Sequence, residues 1–489
     1  MRDLQQVFSR IRQFLWPIRR HELIKFLPMA GMMFCILFNY TVLRNTKDSL
    51  VISSMGTSVI PFIKGFVVLP VSMLFVVLYS KLCNTLSRGA LFHTFTGVFI
   101  VFFFLYSTYL YPNRNLVQPD AATIDALKLA YPHLQHVWSL YENWTYTAFY
   151  VFAELWGSVS LGLLFWQFAN EVTHIEEAKR FYAMFAFLGH FALIIGGYAV
   201  QAQVGADCDA HFTFIFTAVI FFALAANALY WFLNHFVVHE RVYADSVVVV
   251  KKRPKLSVRQ SLKEIMRSKY LGLIGVLVFS YNFSMNLIGL VWKTQLKLQF
   301  PDVLALNNFM GQYQSVVGLV TVLTIPFVKS IVERMSWYVA AIMTPLVLLG
   351  TGILFFFFVF QGHLVADMID DFGLTPVYVA VIIGAIQQLL SKSCKYALFD
   401  PTKEMAYIPL DDELKSKGKA AVDVFGMSFS KAFAGYLTGI MLAIFAITDL
   451  MIIAPFMAIM IIGSIFIWMW AVKRLSILYK KIIDRDHAA

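Results

Sequence analysis

Charged and amide side chains recur inside otherwise apolar stretches of this chain, and their spacing sorts them into groups. Tyr40, Arg44 and Lys47 stand at i, i+4 and i+7, which puts them on one helix face. Lys64 lies alone in a second apolar run, and Glu154 sits near the middle of a run that begins at Trp144. Asn282 and Asn286 are one turn apart, with Lys293 two turns beyond; Gln388, Lys392 and Lys395 share a face at the end of another run. An ionised group at mid-bilayer costs ~2.5–3.5 kcal/mol on insertion scales, so such residues are functional candidates by default. Plainer roles compete. Lys64, Lys293 and Lys392 could snorkel to headgroups, Asn282 and Asn286 could join helices by hydrogen bonds, and Glu154 could belong to a buried structural ion pair.

The group as a whole is predominantly basic: Arg44, Lys47, Lys64, Lys293, Lys392 and Lys395 against Glu154. Unpaired cations in a low-dielectric cavity are costly until an anion arrives. Phosphate oxygens form strong charge-assisted hydrogen bonds with Lys and Arg. The chemistry implied is reversible binding of a multivalent organic anion; a neutral sugar would not need these groups.

The elements that must position these residues are membrane helices. The chain is 489 residues long, 59% hydrophobic and only 14% charged. Soluble domains carry roughly 25% charged residues, so a soluble, disordered or disulfide-stapled chain is excluded. The four cysteines, Cys35, Cys83, Cys208 and Cys394, are far apart and without metal-binding spacing. Reading with the ~20-residue span length of a bilayer gives twelve stretches: 24–43, 59–79, 90–112, 144–169, 183–203, 211–234, 270–292, 307–328, 337–360, 372–394, 422–446 and 449–472. Phe355-Phe356-Phe357-Phe358 does not alternate, which rules against barrel strands.

The net charge of +11 does not indicate nucleic acid, because much of it flanks the apolar runs. Segment 1–23 holds Arg2, Arg10, Arg12, Arg19 and Arg20; segment 235–269 is rich in Lys and Arg; tail 473–489 has Lys473, Arg474, Lys480, Lys481 and Arg485. An even number of spans puts all three on one side, the cytoplasmic side by the positive-inside rule. No removable signal peptide is expected. The basic linker 235–269, with an expected solvated helix over 255–268, divides the chain into six-helix halves, 24–234 and 270–472. Six-plus-six transporters have this organisation. Apart from Lys64, the polar groups fall on spans 1, 4, 7 and 10, which line the central cavity of a major-facilitator-like fold. A nucleotide-hydrolysing P-loop is absent: the nearest fragment, Gly418-Lys419-Ala420, has Glu413 where the first glycine belongs.

Several motifs resemble the ATP/ADP translocases of plastids and obligate intracellular bacteria. They are Phe34-Cys-Ile-Leu-Phe-Asn-Tyr-Thr-Val-Leu-Arg-Asn-Thr-Lys-Asp48, Ala153-Glu-Leu-Trp-Gly-Ser-Val159, Glu177-Ala-Lys-Arg-Phe-Tyr182, Ser391 through Leu410, and Lys417-Gly-Lys-Ala-Ala-Val-Asp423. The likeness covers roughly residues 22–475, in order. It implies an all-α, twelve-helix, major-facilitator-like membrane protein, a monomeric carrier without cofactor in a bacterial inner membrane. The activity implied is exchange of ATP for ADP and phosphate; proton-coupled import of GTP or mixed nucleoside triphosphates, or carriage of another organic anion, stay open as alternatives.

By position, the resemblance assigns roles to Lys47, Glu154 and Lys419. The expected substrate contacts are Asn39, Tyr40, Arg44, Lys47, Lys64, Tyr150, Glu154, Tyr281, Asn282, Lys293, Lys392, Lys395 and Lys419, with Tyr40, Tyr150 or Tyr281 stacking on the base and Glu154 pairing with a cavity lysine when substrate is absent. Two positions depart from the family pattern: Gly289 replaces an acid on span 7, and Asn45 replaces an Asp on span 1.

Overall fold

A computed structural model describes residues 16–83, 85–173, 175–202, 207–238, 268–410, 422 and 427–486. These residues form helices and turns, with no strand among them. Among the described residues, the twelve longest helices make up most of the bundle. In the first half they are α1 (Leu23–Met55), α2 (Leu69–Leu82), α3 (Arg88–Leu105), α4 (Trp144–Trp156), α5 (Ile175–Gln201) and α6 (Cys208–Phe232). In the second they are α7 (Lys269–Gln299), α8 (Val303–Arg334), α9 (Trp337–Gln361), α10 (Pro376–Cys394), α11 (Met427–Ile444) and α12 (Ala454–Asp486). Ten helical stretches among the described residues are long and apolar enough to cross a membrane; α8 is not one of them, and Phe429–Ile444 of α11 is a shorter apolar helix. The expected linker helix over 255–268 lies, except for Ser268, outside the described residues.

Capping explains where many of these helices start. Ser87, Asp207, Ser268, Ser336 and Thr375 each accept a hydrogen bond from a backbone N–H in the first turn of α3, α6, α7, α9 and α10. Gly56, at φ +80°, ends α1 in a conformation that suits glycine. α1 therefore runs twelve residues past the end expected for span 1 at 43. Its charged residues do not stop the helix because they are partnered inside the bundle. α7 likewise extends beyond 292 to Gln299, and α12 continues through Lys473, Arg474, Lys480 and Lys481 of the expected tail.

Two apolar cores hold the helices together. One gathers residues of the first half, such as Phe26, Phe99, Phe103, Trp156 and Phe216. The other gathers residues of α7 to α12, such as Leu287, Trp292, Phe355 and Trp468, but also takes in Val51, Ile52, Val59, Ile60, Phe62, Ile63, Leu140 and Tyr150. The far end of α1 and the chain after it are thus packed into the core of the opposite half.

That end forms a seam of hydrogen bonds, neutral except for the one that Lys297 donates. The Thr57 and Thr294 hydroxyls meet at 2.8 Å, Ser58 Oγ donates to the Thr448 carbonyl at 2.7 Å, and Lys297 Nζ donates to the Ser53 carbonyl at 2.9 Å. Between α3 and α4, where the sequence suggested only a connection, lie short helices Arg114–Val117, Ala121–Ala130 and Gln135–Glu142. From this hairpin His133 and His136 reach the carbonyls of Ala443 and Ile447 at 2.9 and 2.8 Å. α5 and α8 touch through glycine: a Cβ on Gly197 would stand 2.6 Å from the Gly311 carbonyl oxygen.

Candidate functional site

α1 lies at the centre of the site because its polar face has no lipid to turn to. Asn45, Thr46, Lys47, Asp48 and Ser49 are all buried in mid-helix. Lys47 Nζ is 3.0 Å from Asp48 Oδ1 and 3.1 Å from Glu154 Oε2 of α4, and stands 3.8 Å above the Tyr150 ring centroid. The other Asp48 oxygen is 2.7 Å from Lys293 Nζ of α7. A continuous chain, Glu154–Lys47–Asp48–Lys293, therefore runs from one half to the other. The lysine pairing expected for Glu154 is found in this geometry. Removing one member of such a buried pair costs about 3–5 kcal/mol, because its partner is left charged and alone.

Beside this chain opens a cavity with an empty volume of about 620 Å³, including its open mouth. Arg44, Asn45 and Asp48 line it from α1, Ile60 and Lys64 from the stretch before α2, and Asn286, Gly289, Trp292 and Lys293 from α7. Met310, Tyr313 and Gln314 of α8 and Gln388 and Lys392 of α10 complete the wall. Arg44 Nη1 donates to the Tyr40 hydroxyl at 3.2 Å, and Lys64 Nζ to Asn286 Oδ1 at 3.4 Å. Lys392 Nζ donates to the Tyr313 hydroxyl at 3.0 Å and stands 5.1 Å from the same ring's centroid. Tyr313 is held against Trp292, whose Nε1 donates to the Val381 carbonyl.

The wall and the ion chain together hold five cations (Arg44, Lys47, Lys64, Lys293, Lys392) and two carboxylates (Asp48, Glu154), a formal excess of three. Each cation leans on a carboxylate, a phenol or an amide. An incoming polyanion can replace those contacts, so the arrangement suits exchange of ligands.

The remaining expected site residues lie elsewhere. Asn39 Nδ2 donates to the Val219 carbonyl and ties α1 to α6. Tyr40 packs its ring over Gly157, where a Cβ would come within 2.6 Å. Asn282 Nδ2 donates back to Val278 in its own helix. Tyr281 stacks on Phe399 and packs edge-on to Trp468 in the second core. Lys395 pairs with Asp400 at 2.8 Å, past the end of α10. Lys419 lies outside the described residues.

The expected lining set of spans 1, 4, 7 and 10 also needs correcting. α8 supplies part of the wall, and α4 lines none of it, joining the ion chain through Tyr150 and Glu154 at Lys47. Asp48 was not among the expected contacts although it stands at i+4 from Arg44, a spacing that places it on the same face. Tyr313 and Trp292 carried no such signal, since aromatics are common in any membrane chain.

Residues 1–479 match the model of the family described as TLC ATP/ADP transporter. The chain is 41% identical over 492 residues to ADP,ATP carrier protein 1 of Chlamydia muridarum, covering 97% of this chain and 92% of that protein. It is 40% identical over 485 residues to ADP,ATP carrier protein 1 of Rickettsia bellii, covering 97% of both. In fold it resembles a bacterial homologue of the iron transporter ferroportin solved in an inward-facing state, with a TM-score of 0.56, 12% identity, and 95% and 99% of the two chains covered. The likeness to that structure is one of fold alone: an all-helical, major-facilitator-like membrane transporter. With the family's model and its relatives spanning nearly the whole length, the chain belongs to the TLC ATP/ADP transporter family.

Proposed function

We propose that this carrier exchanges ATP for ADP and phosphate by alternating access, the two halves rocking around the central cavity. The observation that carries the reading is the cavity's excess of three positive charges, shared between helices of both halves. The phosphate chain replaces the present partners of Arg44, Lys64, Lys293 and Lys392, while Lys47 and Glu154 respond through Asp48. The related carriers' printed names, ADP,ATP carrier protein, support adenine nucleotides as substrates. Exchange of ATP⁴⁻ for ADP³⁻ alone moves net charge, whereas ADP³⁻ leaving with H2PO4⁻ balances it, so the effect of membrane voltage on the rate reports whether phosphate crosses with ADP.

The basic segments 1–23 and 473–489 support cytoplasmic termini and twelve crossings. The organisms of the related carriers support the inner membrane of an intracellular bacterium as the location. We take the carrier to act as a monomer.

Proteoliposomes holding the full chain test the reading. Labelled ATP uptake is measured with the lumen empty, loaded with ADP, or under a pH gradient. ADP loading is expected to raise uptake severalfold; equal uptake in all three defeats coupled transport. Gly289, a departure from the acid of the family pattern in the cavity wall, supports a second reading other than strict exchange: if the pH gradient alone drives uptake, the carrier is a proton-coupled importer. Competition by ATP, ADP, GTP, CTP, UTP and phosphate ranks the bases.

A further inference from the structure

The ion network leaves two polar groups of the cavity wall without a partner. Asn45, on α1 between Arg44 and Asp48, is 1% exposed, and its Nδ2 has no acceptor. Gln388, on α10 one turn before Lys392, is 6% exposed, and its Nε2 has none either. Among the described residues lining the cavity, these two carry the buried side-chain atoms left unsatisfied, and both atoms are donors. A buried donor left unmade destabilises the fold, so such groups call for an explanation. Gly289 stands opposite Gln388: a Cβ there would lie 3.4 Å from Nε2, at contact distance.

A wall short only of acceptors fits a ligand surface made only of acceptors. Phosphoryl oxygens answer that description, whereas the edge of a purine presents donors and acceptors together. Lys392 beside Gln388 and Arg44 beside Asn45 point to the same class of ligand.

We propose that Asn45 and Gln388 are specificity-determining residues that bind the phosphate chain, one from each half, by neutral N–H donors. Neutral donors add hydrogen bonds while leaving the excess of three charges unchanged. Because one donor belongs to α1 and the other to α10, a single ligand satisfies both only while it bridges the halves. The proposal rests on the reading of the cavity as a nucleotide site and assigns its selectivity for phosphate over base.

Gln388→Glu keeps shape but replaces a donor with an anionic acceptor; Asn45→Ala and Gln388→Ala remove the donor without adding charge. The readouts are KM for ATP and for GTP in proteoliposomes, inhibition by inorganic tripolyphosphate, and the rise in Tm that tripolyphosphate gives the purified carrier. Gln388→Glu is expected to raise both KM values about tenfold or more, to weaken tripolyphosphate inhibition by the same factor and to abolish the Tm rise; each alanine is expected to act in the same direction with a smaller factor. The ratio of ATP to GTP stays constant. A changed ratio with unaltered tripolyphosphate inhibition overturns the proposal in favour of a base contact, and a full Tm rise in all three variants overturns it as well. If the unaltered carrier transports no nucleotide yet keeps its tripolyphosphate Tm rise, the nucleotide reading fails and the phosphate assignment stands.

Discussion

The two halves meet in two ways. At the end of the bundle away from the termini, they join by neutral hydrogen bonds and close backbone contact, as at Thr57–Thr294 and Gly197–Gly311. In the cavity they join by charge, through Asp48 and Lys293. A neutral hydrogen bond contributes about 0.5–1.5 kcal/mol net, and many such bonds can part in turn, so the seam suits repeated opening. The charged link is stiffer but can be replaced outright by a ligand carrying the same charge. The difference separates a surface that must part from a site that must sense what is bound.

The comparison is sharpest at Asp48. Asp48→Ala leaves Lys47 and Lys293 without their shared carboxylate, a loss of about 3–5 kcal/mol; ATP exchange in proteoliposomes is expected to fall by two orders of magnitude or more. Exchange at the normal rate would show that the charged link between the halves is dispensable. Lys47→Ala and Glu154→Ala are expected to abolish uptake while the protein still inserts into the membrane.

Next comes the seam itself. Gly197→Val puts a branched side chain against the Gly311 carbonyl and keeps α5 and α8 apart. Exchange is expected to drop about tenfold while nucleotide binding to the purified carrier persists, since overpacking costs roughly 1–3 kcal/mol and neither glycine lines the cavity. Loss of binding and exchange together would mean that seam and cavity are not separable.

A smaller effect is expected from pH. Burial lowers the pKa of His136 below the ordinary histidine value of 6.5, the hydrogen bond with the Ile447 carbonyl opposing that shift, and the ring also stacks on Phe62. A depressed histidine stabilises the fold fully above its unfolded pKa, and the contribution is lost as pH falls through the lower folded value. Tm is therefore expected to decline below about pH 6.5 more steeply in the natural chain than in His136→Gln, measured by thermal unfolding in detergent. Identical profiles would remove His136 from the seam's energetics. Smallest of all is Tyr281→Phe: with the ring packed among Phe399 and Trp468, KM for ATP is expected to change less than about twofold.

Fold class and the basic character of the site were legible in the sequence. Phe355–Phe358 could only be a buried or lipid-facing helix, and Arg44 with Lys47 at helical spacing could only share a face. Membrane residence forces regular helices, because no backbone polar group can go unpaired in hydrocarbon. The length of α1 was not legible, since the run of Arg44, Asn45, Lys47 and Asp48 ends the apolar stretch that marks a span, and its partners from α4 and α7 lie far along the chain.

The sequence by itself determined a helical membrane carrier with more buried cations than anions, because hydropathy, charge and periodicity act along the chain. Only the tertiary structure decided which cations share a cavity, that Asp48 bridges two of them, and that Tyr281 and Lys395 turn elsewhere. Those outcomes depend on contacts across as many as 245 residues, from Asp48 to Lys293. Local spacing fixes a side chain's direction from its own helix but not what another helix brings to meet it.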